Sequence, residues 1–133
     1  MTRQGLILFA HGARDARWAA PFEAVAERIR LQRPLLHLRL AYLEFMAPNL
    51  HDAGAQLCAA GCNSVEVLPL FLGTGGHLRK DLPPMVQGLR NEYPAVRWTL
   101  HTAVGEHEAV MQAMANAALA LLPDGAANPG AGT

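Results

Sequence analysis

Apolar residues in this chain fall into short continuous or alternating runs separated by longer stretches of helical period. Leu6–Ala10 is apolar throughout, and Pro21–Arg33 then carries Phe22, Val25, Ala26 and Ile29 at helical spacing. Leu36–Leu43 alternates, with Leu36, Leu38 and Leu40 on one face and His37, Arg39 and Ala41 on the other. Pro48 stands where it opens a helix running to about Ala60, and Gly61 stops it. Val65–Leu72 is a third strand, apolar nearly throughout. Pro69 inside it predicts a bulge or an unpaired position, because proline brings no ladder donor. Pro83 or Pro84 opens a third helix to about Tyr93, and Val96–Thr102 alternates through Val96, Trp98 and Leu100. Gly105 leads into an alanine-rich helix that ends near Leu122.

Four strand-then-helix units predict an α/β domain, a four-stranded parallel sheet with helices on both faces. The first and third strands are apolar on both faces and belong in the centre; the second and fourth alternate and belong at the edges. Right-handed crossovers then give the strand order 2-1-3-4. The order reverses between the first and third strands, and open sheets bind ligands outside the carboxyl ends at such a switch point. His11 ends the first strand, and a glycine-rich loop carrying His77 is expected to leave the third, so the two histidines should face one crevice. Residues 1–122 are read as this domain, and 123–133, PDGAANPGAGT, as a flexible tail.

Composition narrows the partners. With 133 residues the chain suits one domain, and 11 basic against 11 acidic residues leave no net charge. That neutrality argues against a general nucleic-acid binder, so any anionic ligand must be held by a local cluster of cations. No apolar run approaches the roughly 18–20 residues that cross a bilayer. The short apolar run near the N-terminus breaks at His11-Gly12 and reads as a strand, so a soluble cytoplasmic protein is expected. Cys58 and Cys62 are four apart, which is neither the zinc-type nor the redox-type C-x-x-C, and they read as packing thiols in a reducing compartment. An iron–sulfur centre needs about four thiolates, which this chain lacks.

The candidate chemistry gathers at the predicted carboxyl edge. In FAHGARD, Gly12 lets the backbone turn sharply beside His11, with Arg14 and Asp15 just beyond. In LPLFLGTGGHLRKDLPP, Gly73, Gly75 and Gly76 precede His77, and Arg79 and Lys80 follow it. Taken singly, each histidine is a strand-end or loop residue; their meeting at the switch point gives them weight. Arg79 and Lys80 suit carboxylates, Arg through its planar fork. Glu44 in AYLEFMAP ends the second strand and adds a carboxylate to the two imidazoles. That donor set suits a first-row divalent metal held exchangeably, since the thiolates of a structural zinc site are missing. His107 opens the last helix at the same rim, but with Glu106 and Glu108 complementing the helix dipole it is not counted among the site residues; His37, His51 and His101 read as structural or solvent-facing.

HGAR, LEFMAP and PLFLGTGGHLRKDLP, in that order, resemble the short-form sirohydrochlorin cobaltochelatases, and the resemblance extends from about Leu6 to Leu122. These class II chelatases insert a metal into a tetrapyrrole without ATP. The resemblance implies His11 and His77 as metal ligands, with Glu44 as the acidic partner, all three counted as catalytic. It implies a substrate with eight carboxylates, engaged by Arg14, Arg79 and Lys80 with Gly75 and Gly76 beneath it. Metal is then a substrate, Co²⁺ first and Fe²⁺ or Ni²⁺ behind it, and no cofactor is permanently bound. The family more often carries Ser at position 13, where this chain has Ala13, so one hydroxyl contact is absent. Larger chelatases of this kind carry two such domains, which implies a homodimer here, with Leu43, Phe45 and Met46 as the candidate contact.

Two other readings compete with this one. A histidine phosphatase uses an arginine immediately before its strand-end histidine, and this chain has Ala10 there. A metal or tetrapyrrole carrier that binds without turnover would use the same ligands as a chelatase, and the sequence leaves it open. No G-x-S-x-G and no Gly-rich lysine loop is present.

Overall fold

A computed structural model describes residues 2–73 and 75–123, and of His77 the backbone alone. The tail expected over 123–133 therefore lies outside the described residues from position 124 onward. Strands β1 (Gln4–Ala10), β2 (His37–Tyr42), β3 (Ser64–Pro69) and β4 (Arg97–Leu100) are all parallel, in the order β2-β1-β3-β4. The helices are α1 (Ala20–Gln32), α2 (Leu50–Ala59), α3 (Gly76–Glu92) and α4 (Glu108–Ala120), with 3-10 turns at Ala16–Ala19 and Val104–Glu106.

Burial accounts for that order. Ile7, Leu8, Phe9 and Ala10 of β1 are all buried because side chains on both faces of the strand meet helices or loops. On one face Ile7, Phe9, Val65 and Val67 pack with Leu57 of α2 and Val86 and Leu89 of α3. On the other, Leu8 and Leu38 pack with Ala26 and Ile29 of α1. No helix among the described residues is long and apolar enough to cross a membrane.

Pro69 needs no bulge. It is the last residue of β3, paired in register with Phe9, and Leu70 N–H donates to Phe9 O at 2.7 Å. Because successive N–H groups alternate sides, the position at Pro69 points toward β4, whose ladder has already ended at Val67–Leu100. The missing donor thus falls where no acceptor is paired.

The third helix departs further from expectation. It starts at Gly76, not at Pro83 or Pro84, and carries both prolines within it. Leu82, Val86 and Leu89 are buried on one side, and Leu78 packs against the same core. This stripe, at steps of four, four and three, begins before the prolines. Its burial outweighs the ladder bonds that the two prolines forgo, which cost on the order of 3 kcal/mol each in an unsupported helix. His77, Arg79 and Lys80 consequently sit in the first turns of α3, and the segment expected as a loop is helical from Gly76.

At the other end of α3, His51 of α2 reaches Glu92 at 2.8 Å and Asp52 at 3.4 Å. Hydrogen bonding to Glu92 first, and to Asp52 second, raises the His51 pKa above its ordinary 6.5. The pair therefore stabilises the fold fully below about pH 6.5, and the gain is lost as pH rises through the raised folded value. The pair is half exposed, so its worth is about 0.5 kcal/mol at most. Urea midpoints of wild type and His51→Gln are expected to differ at pH 5.5 and to coincide at pH 9. A difference that grows with pH would refute the assignment.

Candidate active site

The first strand's last contacts set the site. Beyond the β1–β2 ladder, which ends at Ala10–Tyr42, the two chains stay together: Leu43 N–H donates to Ala10 O at 2.9 Å and Glu44 N–H to His11 O at 3.1 Å. Gly12 lies between them with φ +93°, and a Cβ there would stand 2.0 Å from the carbonyl oxygen of Glu44. Only glycine combines that left-handed backbone with so close an approach. The consequence is chemical. The close approach of the two chains brings the side chains of residues 11 and 44 together, and His11 Nε2 lies 2.9 Å from Glu44 Oε2. Both are about half exposed, at 50% and 48%, so the pair faces outward rather than serving the core.

Phe71, just beyond β3, supports the imidazole. Its ring stands edge-on to His11 at 6.3 Å between centroids and edge-on to Phe9 at 6.1 Å. The chain after Phe71 is fixed from the β4 side: Gly105 N–H donates to Phe71 O at 3.0 Å, and a Cβ on Gly105 would lie 2.0 Å from Leu72 O. β1 and β3 are neighbouring strands, about 4.8 Å apart, so the chain segments that continue to His11 and His77 leave the same edge of the sheet. His77 is the second residue of α3, and its side chain lies outside the described residues. Among the described residues, no three His, Cys, Asp or Glu side chains converge on one point.

The remaining candidates divide. Arg14 lies over the ring of Phe45, 4.5 Å from its centroid, and Phe45 has φ 67° and is 55% exposed. Asp15 is committed elsewhere: it caps the 3-10 turn and pairs with Arg17 at 2.8 Å, which holds its carboxyl below the usual range. Gly75 is the N-cap of α3 and Gly76 its first residue. No described atom lies within 4 Å of a Cβ built on Gly73, Gly75 or Gly76. These three glycines therefore leave open room, and no close packing within the described chain requires them. Arg79 is exposed and lines a cavity of about 160 Å³ with Leu78, Leu100, His101 and Glu106. Lys80 is exposed beside it.

His51 and His101 pair with other carboxylates, His51 with Glu92 at 2.8 Å and His101 with Glu66 at 2.7 Å. His107 precedes α4, with its Nε2 3.3 Å from Thr102 O. Burial pushes the thiols of Cys58 and Cys62 up, away from thiolate reactivity, in line with a packing role. Phe71 escaped the sequence reading as a site residue. Its only sequence signal is an aromatic two positions past the end of a central strand.

Comparison with known proteins identifies the family. The CbiX family profile matches residues 5–120. The chain belongs to the CbiX family. It is 31% identical over 94 residues to the sirohydrochlorin cobaltochelatase of Saccharolobus solfataricus, covering 71% of each chain. Among solved structures it resembles the CbiX protein of Marinobacter aquaeolei VT8, with a TM-score of 0.78, 32% identity, and 88% and 95% of the two chains covered. It shares its fold with the sirohydrochlorin chelatase SirB of Bacillus subtilis subspecies spizizenii, a structure in complex with cobalt, at a TM-score of 0.76 and 21% identity. The alignment with SirB covers 91% of this chain but 51% of SirB, so the chain spans about half of SirB's length.

Proposed function

We propose that this CbiX chain inserts a divalent metal into sirohydrochlorin or a closely related tetrapyrrole, without ATP. The observation that carries the reading is the outward-facing His11–Glu44 pair, 2.9 Å apart at the reversal of strand order. The name of the Saccharolobus relative favours Co²⁺ as the first metal, with Fe²⁺ and Ni²⁺ behind it.

The chemistry follows from these groups. Two donors on one first-row ion at about 2.1 Å and at right angles stand about 3.0 Å apart, so His11 and Glu44 can exchange their hydrogen bond for a shared ion with little movement. His77 is proposed as the further ligand from α3. Imidazole and carboxylate without thiolate hold such an ion loosely enough to surrender it to four ring nitrogens. Insertion displaces two pyrrole N–H protons. The donor groups vacated by the metal accept them and pass them to water, which balances the charge delivered.

Recognition of the ring is assigned to its periphery. Arg14, Arg79 and Lys80 would bind substrate carboxylates, and the first N–H groups of α3, beginning at Gly76 behind the Gly75 cap, add donors for the same charge. Phe45 and Leu72, 55% and 71% exposed, flank His11 on the β2 and β3 sides and offer apolar surface to the macrocycle. Binding energy spent there can hold the ring in the bent form whose lone pairs point at the metal. One domain presents only one wall of such a crevice, and we assign the other to a second copy. The cytoplasm is the proposed location.

The test is direct. Purified chain mixed with sirohydrochlorin and Co²⁺, without nucleotide, is expected to give the absorbance of the metallated ring over many turnovers, faster with Co²⁺ than with Fe²⁺ or Ni²⁺. A spectral shift limited to one ring per site, at the uncatalysed rate, would make the protein a carrier instead.

A further inference from the structure

We propose that the amino edge of the sheet, opposite the edge that bears His11, holds a binding site for a small organic anion. The ligand class is a phosphate or carboxylate carried on an apolar body. Charge along the chain is even in total but uneven in place. Residues 2–3, 33–36, 60–63 and 93–96 lead into the four strands, and none of them is Asp or Glu. These segments and the strand starts carry Arg3, Arg33, His37 and Arg97. No carboxylate among the described residues pairs with any of the four. Glu92, the acid nearest to these segments along the chain, is taken by His51 at 2.8 Å.

The cations line a hollow. Arg3, Gln4, Arg33, Leu35, Leu36 and His37 border a cavity of about 460 Å³, within the roughly 300–1,000 Å³ of small-molecule sites. Two hydrogen-bonded anchors hold its guanidinium groups in place. Arg33 Nη2 donates to Gln4 Oε1 at 3.0 Å, which ties the end of α1 to the start of β1. The backbone of Arg3 donates to Asn63 Oδ1 at 2.9 Å and accepts from Asn63 N–H at 3.0 Å. Arg97 lines a neighbouring hollow that shares Thr2 with this one.

Helix ends account for part of this charge, but not for all of it. The C-termini of α1, α2 and α3 each carry about half a negative charge, against three guanidinium groups at the edge. Arg3 Nη1 makes one such contact, to Ala60 O at 3.4 Å, and leaves the other N–H groups of its fork for a ligand. Two forks on one hollow suit the paired oxygens of a phosphate or carboxylate. Leu35 selects an apolar body over a bare ion. It stands 93% exposed on the wall between the cations, where an amphipathic anion would cover it. The occupant is not the ring proposed above His11, because β1 sets Gln4 roughly 20 Å from Ala10.

The site stands apart from the chelatase reading, and its test needs no metal insertion. Amide chemical shifts of the full chain are followed while phenyl phosphate, benzoate or inorganic phosphate is added. At least one aromatic anion is expected to bind at millimolar concentration, about tenfold more tightly than inorganic phosphate, with shifts centred on residues 2–4 and 33–37. Whichever of the two binds more tightly tells phosphate from carboxylate. Arg33→Ala is expected to weaken binding by at least about tenfold. Arg33→Lys should recover only part of that, since an ammonium lacks the planar fork. Leu35→Ala should weaken the aromatic anion and leave inorganic phosphate unchanged, and His11→Ala should change neither. Arg33 and Leu35 are both exposed, so each variant is expected to melt like wild type. Undiminished binding by Arg33→Ala, or shifts centred on residues 11–14 or 75–80, overturns the inference. So does a chain that binds neither aromatic anion, including one that floats instead with phosphatidylglycerol vesicles.

Discussion

His11→Ala is expected to give a folded protein whose rate of metal insertion has fallen at least about 100-fold. The histidine is half exposed, so its removal costs the fold little beyond the edge-on contact with Phe71, roughly 1 kcal/mol. Activity has more to lose. Without His11, Glu44 keeps its backbone bond to His11's position but faces the ion as a lone carboxylate, and one proton acceptor is gone. His77→Ala is expected to fall by a similar factor, and the double variant little further, because ligands of one ion act as a unit and their losses do not add. Glu44→Gln keeps a neutral oxygen donor 2.9 Å from the ring and should retain more activity than either histidine variant. Initial rates with sirohydrochlorin and Co²⁺, alongside melting temperatures, provide the readout. Unchanged insertion by His11→Ala would remove the pair from the chemistry. A melting temperature lowered in step with the rate would mean a structural histidine.

Strand order was legible because burial on two faces and on one face leave different traces. LILFA of β1 is apolar without alternation and the run through β3 is broken only by Glu66 before Leu68–Leu72, whereas β2 and β4 alternate, and the handedness of crossovers completes the order. The position of His11 followed from that order. Glu44 was legible as a carboxylate at the same rim, but its direct approach to His11 was not, since that depends on the register that pairs Ala10 with Tyr42 and carries two residues beyond. The start of α3 was hidden for a different reason. Pro83 and Pro84 are strong local signals, but the stripe from Leu78 to Leu89 gains its weight from the β-sheet it meets, which no local rule contains. Likewise the alanine-rich segment reads as a covering helix from its composition. That none of its side chains is fully buried among the described residues emerges only from the structure.

Gly12→Ala should separate architecture from chemistry most sharply, because it is expected to lose both at once. The backbone there has φ +93°, beyond the left-handed well that an L-residue tolerates, and the new Cβ would stand 2.0 Å from Glu44 O and 3.1 Å from Glu44 C. Those are backbone atoms, so no side-chain rotation relieves them. Either residue 12 changes conformation or the segment 43–46 moves. Movement breaks the bond from Glu44 N–H to His11 O at 3.1 Å and strains the bond from Met46 N–H to Glu44 O at 2.8 Å. Backbone strain of about 1–3 kcal/mol together with one lost hydrogen bond of about 1 kcal/mol puts the destabilisation near 3 kcal/mol. The same movement carries the Glu44 carboxylate away from the imidazole, so insertion should fall with stability. Gly75→Ala is the contrast, since no described atom lies within 4 Å of its Cβ and its φ is −71°. Its melting temperature should stay at the wild-type value, and any loss of rate there would report room that the substrate needs. Denaturant midpoints and insertion rates for the two variants test the scheme together. If Gly12→Ala melts and inserts metal like wild type, the close approach of the β1 and β2 loops is not what brings His11 and Glu44 together.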